Sequence, residues 1–158
     1  MRKVIISQIV AVLVLAAIIV CLLWRSEPAD VPLSDIESEL AFSSSGYQLE
    51  KAGAMRLKRA YGINAADYKE VLYYIPSNTM SVDEMLIVKL ADSSQQASVL
   101  AAIESRLEVQ KKAFDGYGTN QFDILKGAVV YTTGDYVCLF VSEDAGKWRD
   151  TVKSVLKE

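Results

Sequence analysis

An uncharged apolar segment close to the N-terminus limits what this chain can fold into. Residues Val4 to Trp24, VIISQIVAVLVLAAIIVCLLW, carry no charged side chain. As a helix, a segment of this length spans about 30 Å, which is the thickness of the hydrocarbon core of a bilayer. A helix also satisfies its own backbone hydrogen bonds in lipid, as no other single segment can. The sequence therefore predicts one transmembrane helix over residues 4–24, with Trp24 as an anchor at the membrane interface.

The charges beside this segment predict its orientation. Arg2 and Lys3 precede it and Arg25 alone follows it directly, which favours a cytoplasmic N-terminus. The chain then divides into a cytoplasmic tail (1–3), the transmembrane helix (4–24), a tether (25–33) and an extracytoplasmic domain (34–158). The lipid bilayer is the first predicted partner.

Two alternatives compete with an uncleaved membrane anchor. A cleaved signal peptide usually has a shorter apolar region followed by an A-x-A site, and no such site follows here. A lipoprotein would be cut and acylated at Cys21, but Val20 stands where a small residue is expected. The sequence therefore favours a signal anchor with Cys21 buried in the membrane.

Charge and cysteine content exclude two classes of protein. All acidic residues lie beyond the apolar segment, and the whole chain has a net charge of −3. Such a domain lacks the basic footprint of a nucleic-acid binder, so no nucleic acid is expected as a partner. The two cysteines, Cys21 and Cys138, are far apart and form no disulfide framework.

The periodicity of apolar residues predicts an α+β domain beyond the tether. A capping-box pattern at Ser34 to Glu37 begins the first helix, and Gly62 ends the second. The predicted elements are helices from 34 and over 48–61, strands over 68–76 and 85–90, a helix from 92 to about 114, two strands around Gly134-Asp135, and a helix from 144 to about 156. This order, helix-helix-strand-strand-helix-strand-strand-helix, predicts a four-stranded antiparallel sheet with packed helices.

The last predicted hairpin is apolar on both faces. Pairing across its two-residue turn places two sets of side chains on opposite faces: Val129, Tyr131, Tyr136, Cys138 and Phe140 on one, and Val130, Val137, Leu139 and Val141 on the other. We expect the two later helices to cover the aliphatic face and the two N-terminal helices to cover at least part of the aromatic face. An uncovered aromatic face would instead offer Tyr73 or Tyr74, Tyr131 and Tyr136 to a partner or to sugar rings.

The segment KKAFDGYGTN, residues 111–120, interrupts the long predicted helix with two glycines around a tyrosine. One glycine, Gly116, is enough to end a helix in the left-handed conformation, and Thr119 or Asn120 can cap the next helix. Helix termination therefore leaves Tyr117 and Gly118 without a structural role. These two residues are candidates for a ligand or partner surface.

Three segments together resemble a known bacterial family. They are LKRAYGINAADYKEVLYY (57–74), MLIVKL (85–90) and ESRLEVQKKAFDGYG (104–118), and the family is a domain of unknown function, DUF4358. The resemblance covers about residues 48–156 and implies a small cell-envelope domain behind a single membrane helix or a lipoprotein signal, mostly in Gram-positive anaerobes. It implies no activity and no catalytic residues. Together with the predicted membrane anchor, it gives a bacterial cytoplasmic membrane as the expected location.

The residues show no catalytic constellation. The chain has no histidine, which removes the commonest general base and metal ligand. Cys138 lies between apolar residues of a predicted strand and is interpreted as a structural thiol. The acidic pairs Asp83-Glu84 and Glu143-Asp144 adjoin predicted helical turns, where acids act as caps. No catalytic, cofactor or metal site is expected.

The sequence therefore predicts a membrane-anchored accessory or interaction domain that is not an enzyme. Its predicted partner is another envelope or membrane protein. The alternative hypothesis is a glycan- or small-molecule-binding module that uses the tyrosines and the loop from Phe114 to Asn120.

Overall fold

The structure is a computed structural model that describes residues 14, 30–43, 49–116 and 118–157. The predicted transmembrane helix, apart from Val14, lies outside these residues, as do Trp24, Cys21 and Tyr117. Among the described residues, no helix is both long enough and apolar enough to cross a bilayer.

An antiparallel sheet organises the described part of the chain, and the domain is α+β as predicted. The elements are α1 (Leu33–Ser43), β1 (Leu49–Lys51), α2 (Ala54–Tyr61), β2 (Glu70–Pro76), β3 (Glu84–Lys89), α3 (Gln96–Phe114), α4 (Thr119–Lys126), β4 (Val129–Thr133), β5 (Tyr136–Val141) and α5 (Ala145–Leu156). The strands follow the order β1-β2-β3-β5-β4 in the sheet. Asp92 caps the turn that leads into α3, with Gln95 completing a capping box.

The predicted count of four strands is wrong, because the described part of the sheet has five. Strand β1 lies inside the segment 48–61 that was predicted as one helix. Its Lys51 pairs with Tyr74 of β2, and the helix begins only at Ala54, after an extended Gly53. A glycine favours a helix boundary over a helix interior, and a three-residue strand is too short to show a period of two.

The predicted register of the last hairpin is confirmed. Tyr131 pairs with Cys138 and Thr133 with Tyr136 across the Gly134-Asp135 turn. Gly134 has a φ of 48°, a left-handed conformation that few other residues adopt at low cost. The alternation of side chains follows, so the two faces carry the sets of residues that the pattern predicted.

Helices cover both faces of the sheet, but not in the predicted arrangement. Helices α2, α3 and α4 cover the aliphatic face, and α1 and α5 cover the aromatic face. The expectation that both later helices share the aliphatic face is therefore wrong. The physical reason is side-chain complementarity: the α5 residue Trp148 meets Phe140 edge to face at 6.4 Å, whereas Tyr61 of α2 meets Tyr73 on the opposite side at 5.5 Å.

Helix α1 is fixed to the sheet by one carboxylate as well as by apolar contacts. Glu37 accepts hydrogen bonds from Lys51 at 2.8 Å and from the Tyr74 hydroxyl at 2.5 Å. Burial acts to raise the pKa of Glu37, but these two bonds outweigh it and hold the pKa below its ordinary value. Burial, and after it the bond to Glu37, raises the pKa of Tyr74 to about 12.

The docking of α1 should therefore depend on pH at both ends of the range. A carboxyl with a lowered folded pKa stabilises the fold above its unfolded pKa, and the effect is lost as the pH falls through the folded value. A phenol with a raised folded pKa stabilises below about pH 10 and loses the effect as the pH rises towards 12. We expect the variant Glu37→Gln to show a smaller loss of stability below about pH 5, and Tyr74→Phe a smaller loss above about pH 10.

Urea unfolding of the full chain in mild detergent measures this effect, with Trp148 fluorescence in a Trp24→Phe background. The exposed Glu39 on the same helix provides the matched control Glu39→Gln. Acid and alkaline limbs that are identical in wild type and both variants would contradict the role of this pair.

Candidate functional site

A carboxylate lies fully buried at the start of the central strand β3. Glu84 is 0% exposed, although it belongs to a residue type that proteins rarely bury. An isolated ionised carboxylate in the interior is strongly unfavourable, so it must be paired and hydrogen-bonded. The groups that meet this requirement define the most unusual site in the described part of the chain.

Four side chains from three elements donate to Glu84. The hydroxyl of Tyr61 lies at 2.6 Å and that of Tyr73 at 2.9 Å, while Gln110 Nε2 lies at 2.7 Å. Arg106 supplies the counter-charge, with Nη2 at 3.1 Å from Oε2. We refer to Tyr61, Tyr73, Glu84, Arg106 and Gln110 as the polar core. It links α2, α3 and two neighbouring strands.

Burial and charge keep both phenols of the polar core protonated. Burial raises the pKa of Tyr61 and of Tyr73 well above the ordinary value, and the Glu84 carboxylate adds to the shift. Burial acts to lower the pKa of Arg106, but the attraction of Glu84 outweighs it and raises the pKa. The tyrosines are therefore donors, and the guanidinium remains charged throughout the range in which proteins fold.

The polar core favours a structural role over acid-base catalysis. Both Glu84 oxygens accept bonds from several donors, so the carboxylate has little capacity left to accept a substrate proton. Gln110 Oε1 is buried and has no hydrogen-bond partner among the described residues. The polar core instead holds α3 against the sheet in a single position and orientation.

Sequence reasoning missed the polar core because it placed Glu84 in a turn. The segment SVDE has the pattern of a capping box, yet Glu84 is the first residue of β3. A signal was present in the sequence. Four polar-core residues fall within the segments 57–74 and 104–118, and Glu84 directly precedes MLIVKL.

A second polar cluster holds the segment that leads into α1. Lys89, whose side chain is 7% exposed, lies 2.7 Å from Asp30 Oδ1, 3.3 Å from Glu70 Oε1 and 3.0 Å from the carbonyl of Val31. The Tyr136 hydroxyl accepts from Val31 N at 2.8 Å and donates to Val31 O at 2.7 Å. We refer to Asp30, Val31, Glu70, Lys89 and Tyr136 as the tether clamp.

Attraction between opposite charges favours the ionised forms of Lys89 and Asp30 in the tether clamp. Burial acts to lower the pKa of Lys89, but the bonds to Asp30 and Glu70 outweigh it and raise the pKa. The hydrogen bond from Lys89 in turn lowers the pKa of Asp30. Glu70 also accepts from the backbone N–H of Leu33 at 3.0 Å. Asp30, the first described residue of the segment 25–33 predicted as a tether, thus already contacts the sheet.

A cavity of about 390 Å³ lies between the β2–β3 turn and α4. Its polar lining consists of Asn78, Ser81, Asp83, Asn120, Gln121 and Glu143. Gln121 Nε2 donates to the carbonyl of Met80 at 3.2 Å and so joins the turn to the helix. Neither a lysine nor an arginine is among the described lining residues. This composition suits a neutral polar ligand better than an anion.

The candidate tyrosines do not form one surface. Tyr73 lies on the aliphatic side of the sheet, in the polar core, whereas Tyr74, Tyr131 and Tyr136 lie on the aromatic side. Tyr73 and Tyr136 are buried, so their rings do not reach solvent, while Tyr74 and Tyr131 are half-buried. Tyr131 lies under Lys153 of α5, whose Nζ is 5.2 Å from the ring centroid.

Gly118 has a structural explanation that the sequence did not reveal. A Cβ atom at this position would lie 2.6 Å from Cδ1 of Phe114, so only glycine fits against that ring without a shift. Gly116 has a φ of 86°, the left-handed exit that was predicted. The second glycine is therefore needed for packing, and Tyr117 lies outside the described residues.

Cys138 is buried in β5, and burial raises the pKa of its thiol above the ordinary value. This environment favours the structural interpretation of the cysteine. Among the described residues, no group of three or more histidine, cysteine, aspartate and glutamate side chains is placed to hold a metal ion.

The fold and the polar core define a class: a small α+β domain whose antiparallel sheet lies between two helical layers around a buried carboxylate. The model of the family described as domain of unknown function (DUF4358) matches residues 43–142, more than half of the chain. The chain belongs to this family. No curated protein and no solved structure matches it.

Removal of the buried negative charge should destabilise the fold strongly. The variant Glu84→Gln leaves Arg106 without its counter-charge and turns an amide N–H₂ towards the tyrosine donors. We expect the free energy of unfolding to fall by about 3 kcal/mol, the lower end for a broken buried pair, because the Arg106 side chain is 25% exposed. Urea unfolding followed by Trp148 fluorescence measures the change.

The matched control is Glu108→Gln, since Glu108 lies on α3 with a side chain that is 57% exposed. Its expected effect is below about 0.5 kcal/mol. Equal losses in the two variants would show that the polar core contributes no more than a surface carboxylate.

Proposed function

We propose that this chain is a membrane-anchored, extracytoplasmic accessory domain that acts by binding another envelope or membrane protein rather than by catalysis. The predicted transmembrane segment 4–24 anchors it, with the N-terminus inside the cell. The domain outside presents its surface to the partner.

The tether clamp is the observation that carries this proposal. A domain that only needed attachment to the membrane would require no more than a flexible tether. Here Lys89, Glu70 and Tyr136 instead fix the segment from Asp30 to Leu33 through several bonds. Burying a lysine solely to bind the incoming chain has a desolvation cost. A need to fix the orientation of the domain relative to its anchor accounts for that desolvation cost.

The length of the remaining tether supports the same interpretation. Only the segment between Trp24 and Asp30 separates the predicted helix from the clamp, and an extended chain of this length reaches about 20 Å. The domain is thus held close to the membrane surface. A partner in the same membrane would meet it in a restricted set of orientations.

The orientation can be tested by cysteine labelling. In a Cys21→Ser background, the exposed residue Ser94 is changed to cysteine and intact cells are treated with a membrane-impermeant maleimide. We expect labelling of Ser94→Cys in intact cells, and labelling of the control Lys3→Cys only after the membrane is permeabilised. The buried Cys138 gives a low background. A reversed pattern, or a protein found in the soluble fraction, would contradict the anchored arrangement.

The accessory role has its own test. Cells are treated with a short cross-linker, the tagged chain is purified in mild detergent, and co-purifying proteins are identified by mass spectrometry. A reproducible envelope or membrane protein is the expected result. Repeated recovery of this chain without any other protein would count against the role.

The cavity beside α4 favours a second function, the binding of a neutral glycan or a similar polyhydroxyl compound. Its amides and carboxylates can donate to and accept from sugar hydroxyls, and its described lining holds no cation to attract a phosphate. The described lining includes no aromatic ring either. This version of the hypothesis therefore rests on hydrogen bonding and not on stacking against tyrosines.

Calorimetric titration with neutral saccharides and their phosphorylated counterparts tests this second function. We expect saturable binding of a neutral sugar and none of the phosphorylated form. The variant Asn120→Ala should weaken binding about tenfold through the loss of one or two hydrogen bonds. The control Asn64→Ala changes an exposed asparagine outside the cavity. No heat of binding with any neutral sugar, or equal weakening by both variants, would argue against the cavity as a glycan site.

A further inference from the structure

The two edges of the described sheet differ in how they are protected. Strand β1 is three residues long and carries Glu50 and Lys51, which pair with Arg56 and Glu37. Short, charged edge strands of this kind discourage pairing with another chain. Strand β4, at the other edge, has no such feature.

Strand β4 has the composition of a strand that pairs on both sides. Its sequence, VVYTT, consists of β-branched and aromatic residues and contains neither a charge nor a proline. Val130 is 44% exposed. Among the described residues, no strand pairs with its outer edge.

The hydrogen-bond pattern shows which backbone groups of β4 point outward. Leu90 N donates to the carbonyl of Asp135 at 2.7 Å, so odd-numbered residues of β5 bond towards β3. Tyr136 and Cys138 therefore bond towards β4, where they pair with Thr133 and Tyr131. Because bonding alternates along an antiparallel strand, the N–H and C=O groups of Val130 and Thr132 point away from the sheet.

We propose that the outer edge of β4 pairs with β4 of a second copy of this chain. The two strands run antiparallel around a two-fold axis at Tyr131, so that Val130 of each copy lies opposite Thr132 of the other. About four backbone hydrogen bonds form, and the two sheets become one continuous sheet. The two Tyr131 residues face each other as a non-hydrogen-bonded pair, in which side chains come closest.

Symmetry favours a second copy as the occupant. A two-fold axis between antiparallel edge strands is perpendicular to the sheet, so it leaves the layer of α1 and α5 on the same side in both copies. Asp30 and Val31 pack on that layer's side of the sheet, against Lys89 and Tyr136. Both chains thus enter from one side, as two chains anchored in one membrane must. The inference rests on the proposed anchoring in this respect.

Confinement to one membrane also compensates for the low affinity of the edge-to-edge contact. A ladder of five residues buries far less than the roughly 1,000 Å² expected of a stable interface. Two copies confined to one membrane meet at an effective concentration far above that in solution, and weak contacts then persist. The pairing belongs to the membrane-bound protein, and this is where it must be tested.

Disulfide formation in membrane vesicles tests both the pairing and its register. The full chain carries Cys21→Ser, Cys138→Ala and Tyr131→Cys, and an oxidant is added before electrophoresis without reductant. Cys138 is replaced because it pairs with Tyr131 in the same sheet and would compete for the new thiol. All cysteine variants in this test share the first two changes. Non-hydrogen-bonded partners lie about 4.5 Å apart between Cα atoms, within the range of a disulfide. Thr132→Cys is the comparison. In the proposed register Thr132 of one copy lies opposite Val130 of the other, so the two Thr132 residues are displaced from each other by two positions along the strands.

We expect at least about tenfold more cross-linked dimer with Tyr131→Cys than with Thr132→Cys, since the displaced pair exceeds the disulfide range. Adding Val130→Lys should abolish the dimer, whereas the control Val109→Lys, at a valine that is 59% exposed on α3, should not. Trypsin resistance checks the folding of each variant. If Tyr131→Cys does not fold, the double variant Val130→Cys, Thr132→Cys tests the same register through a hydrogen-bonded pair.

The outcomes separate the two proposals. Protein in the membrane fraction with no cross-link, or with equal cross-linking at both positions, overturns the pairing and leaves the anchor intact. Protein in the soluble fraction overturns the anchor, and with it the pairing that depends on confinement to a membrane.

Discussion

Strand β3 carries one buried charge at each end, and both helical layers depend on these two charges. Glu84 points to the aliphatic side and binds α2 and α3 through Tyr61, Arg106 and Gln110. Lys89 points to the aromatic side and binds the segment before α1. Alternation along a strand places residues 84 and 89 on opposite faces. A single strand thus positions elements on both sides of the sheet.

Apolar burial alone would not specify this arrangement. All residues of β3 and β5 are buried, so each face of the sheet attracts an apolar helix. Apolar packing alone discriminates poorly between one amphipathic helix and another. A buried charge is more selective, because a wrongly placed helix would leave it without a partner at a cost of several kcal/mol. The polar core and the tether clamp therefore contribute mainly to the choice of one arrangement over its competitors.

The parts that the sequence could predict are those set by local chemistry. The two-residue turn at Gly134-Asp135 gives the hairpin register, and the periodicity of apolar residues predicts the last helix, from 144 to about 156, close to the observed Ala145–Leu156. The parts that it could not predict depend on distant residues. Lys89 and Asp30 are far apart in the chain, and β1 is too short to show a pattern. Glu84 was placed in a turn because its neighbours form a capping pattern whose tertiary context is not visible in the sequence.

The boundaries of the family match have a practical consequence for recombinant work. The matched residues 43–142 include all five described strands but leave out α5 and nearly all of α1. A fragment cut at these boundaries would expose Ile87, Cys138 and Phe140, all 0% exposed in the intact domain. A contiguous apolar surface of this kind promotes self-association. A fragment for crystallisation or screening should therefore retain residues 30–157, because the two helices outside the match shield the aromatic face of the sheet from solvent.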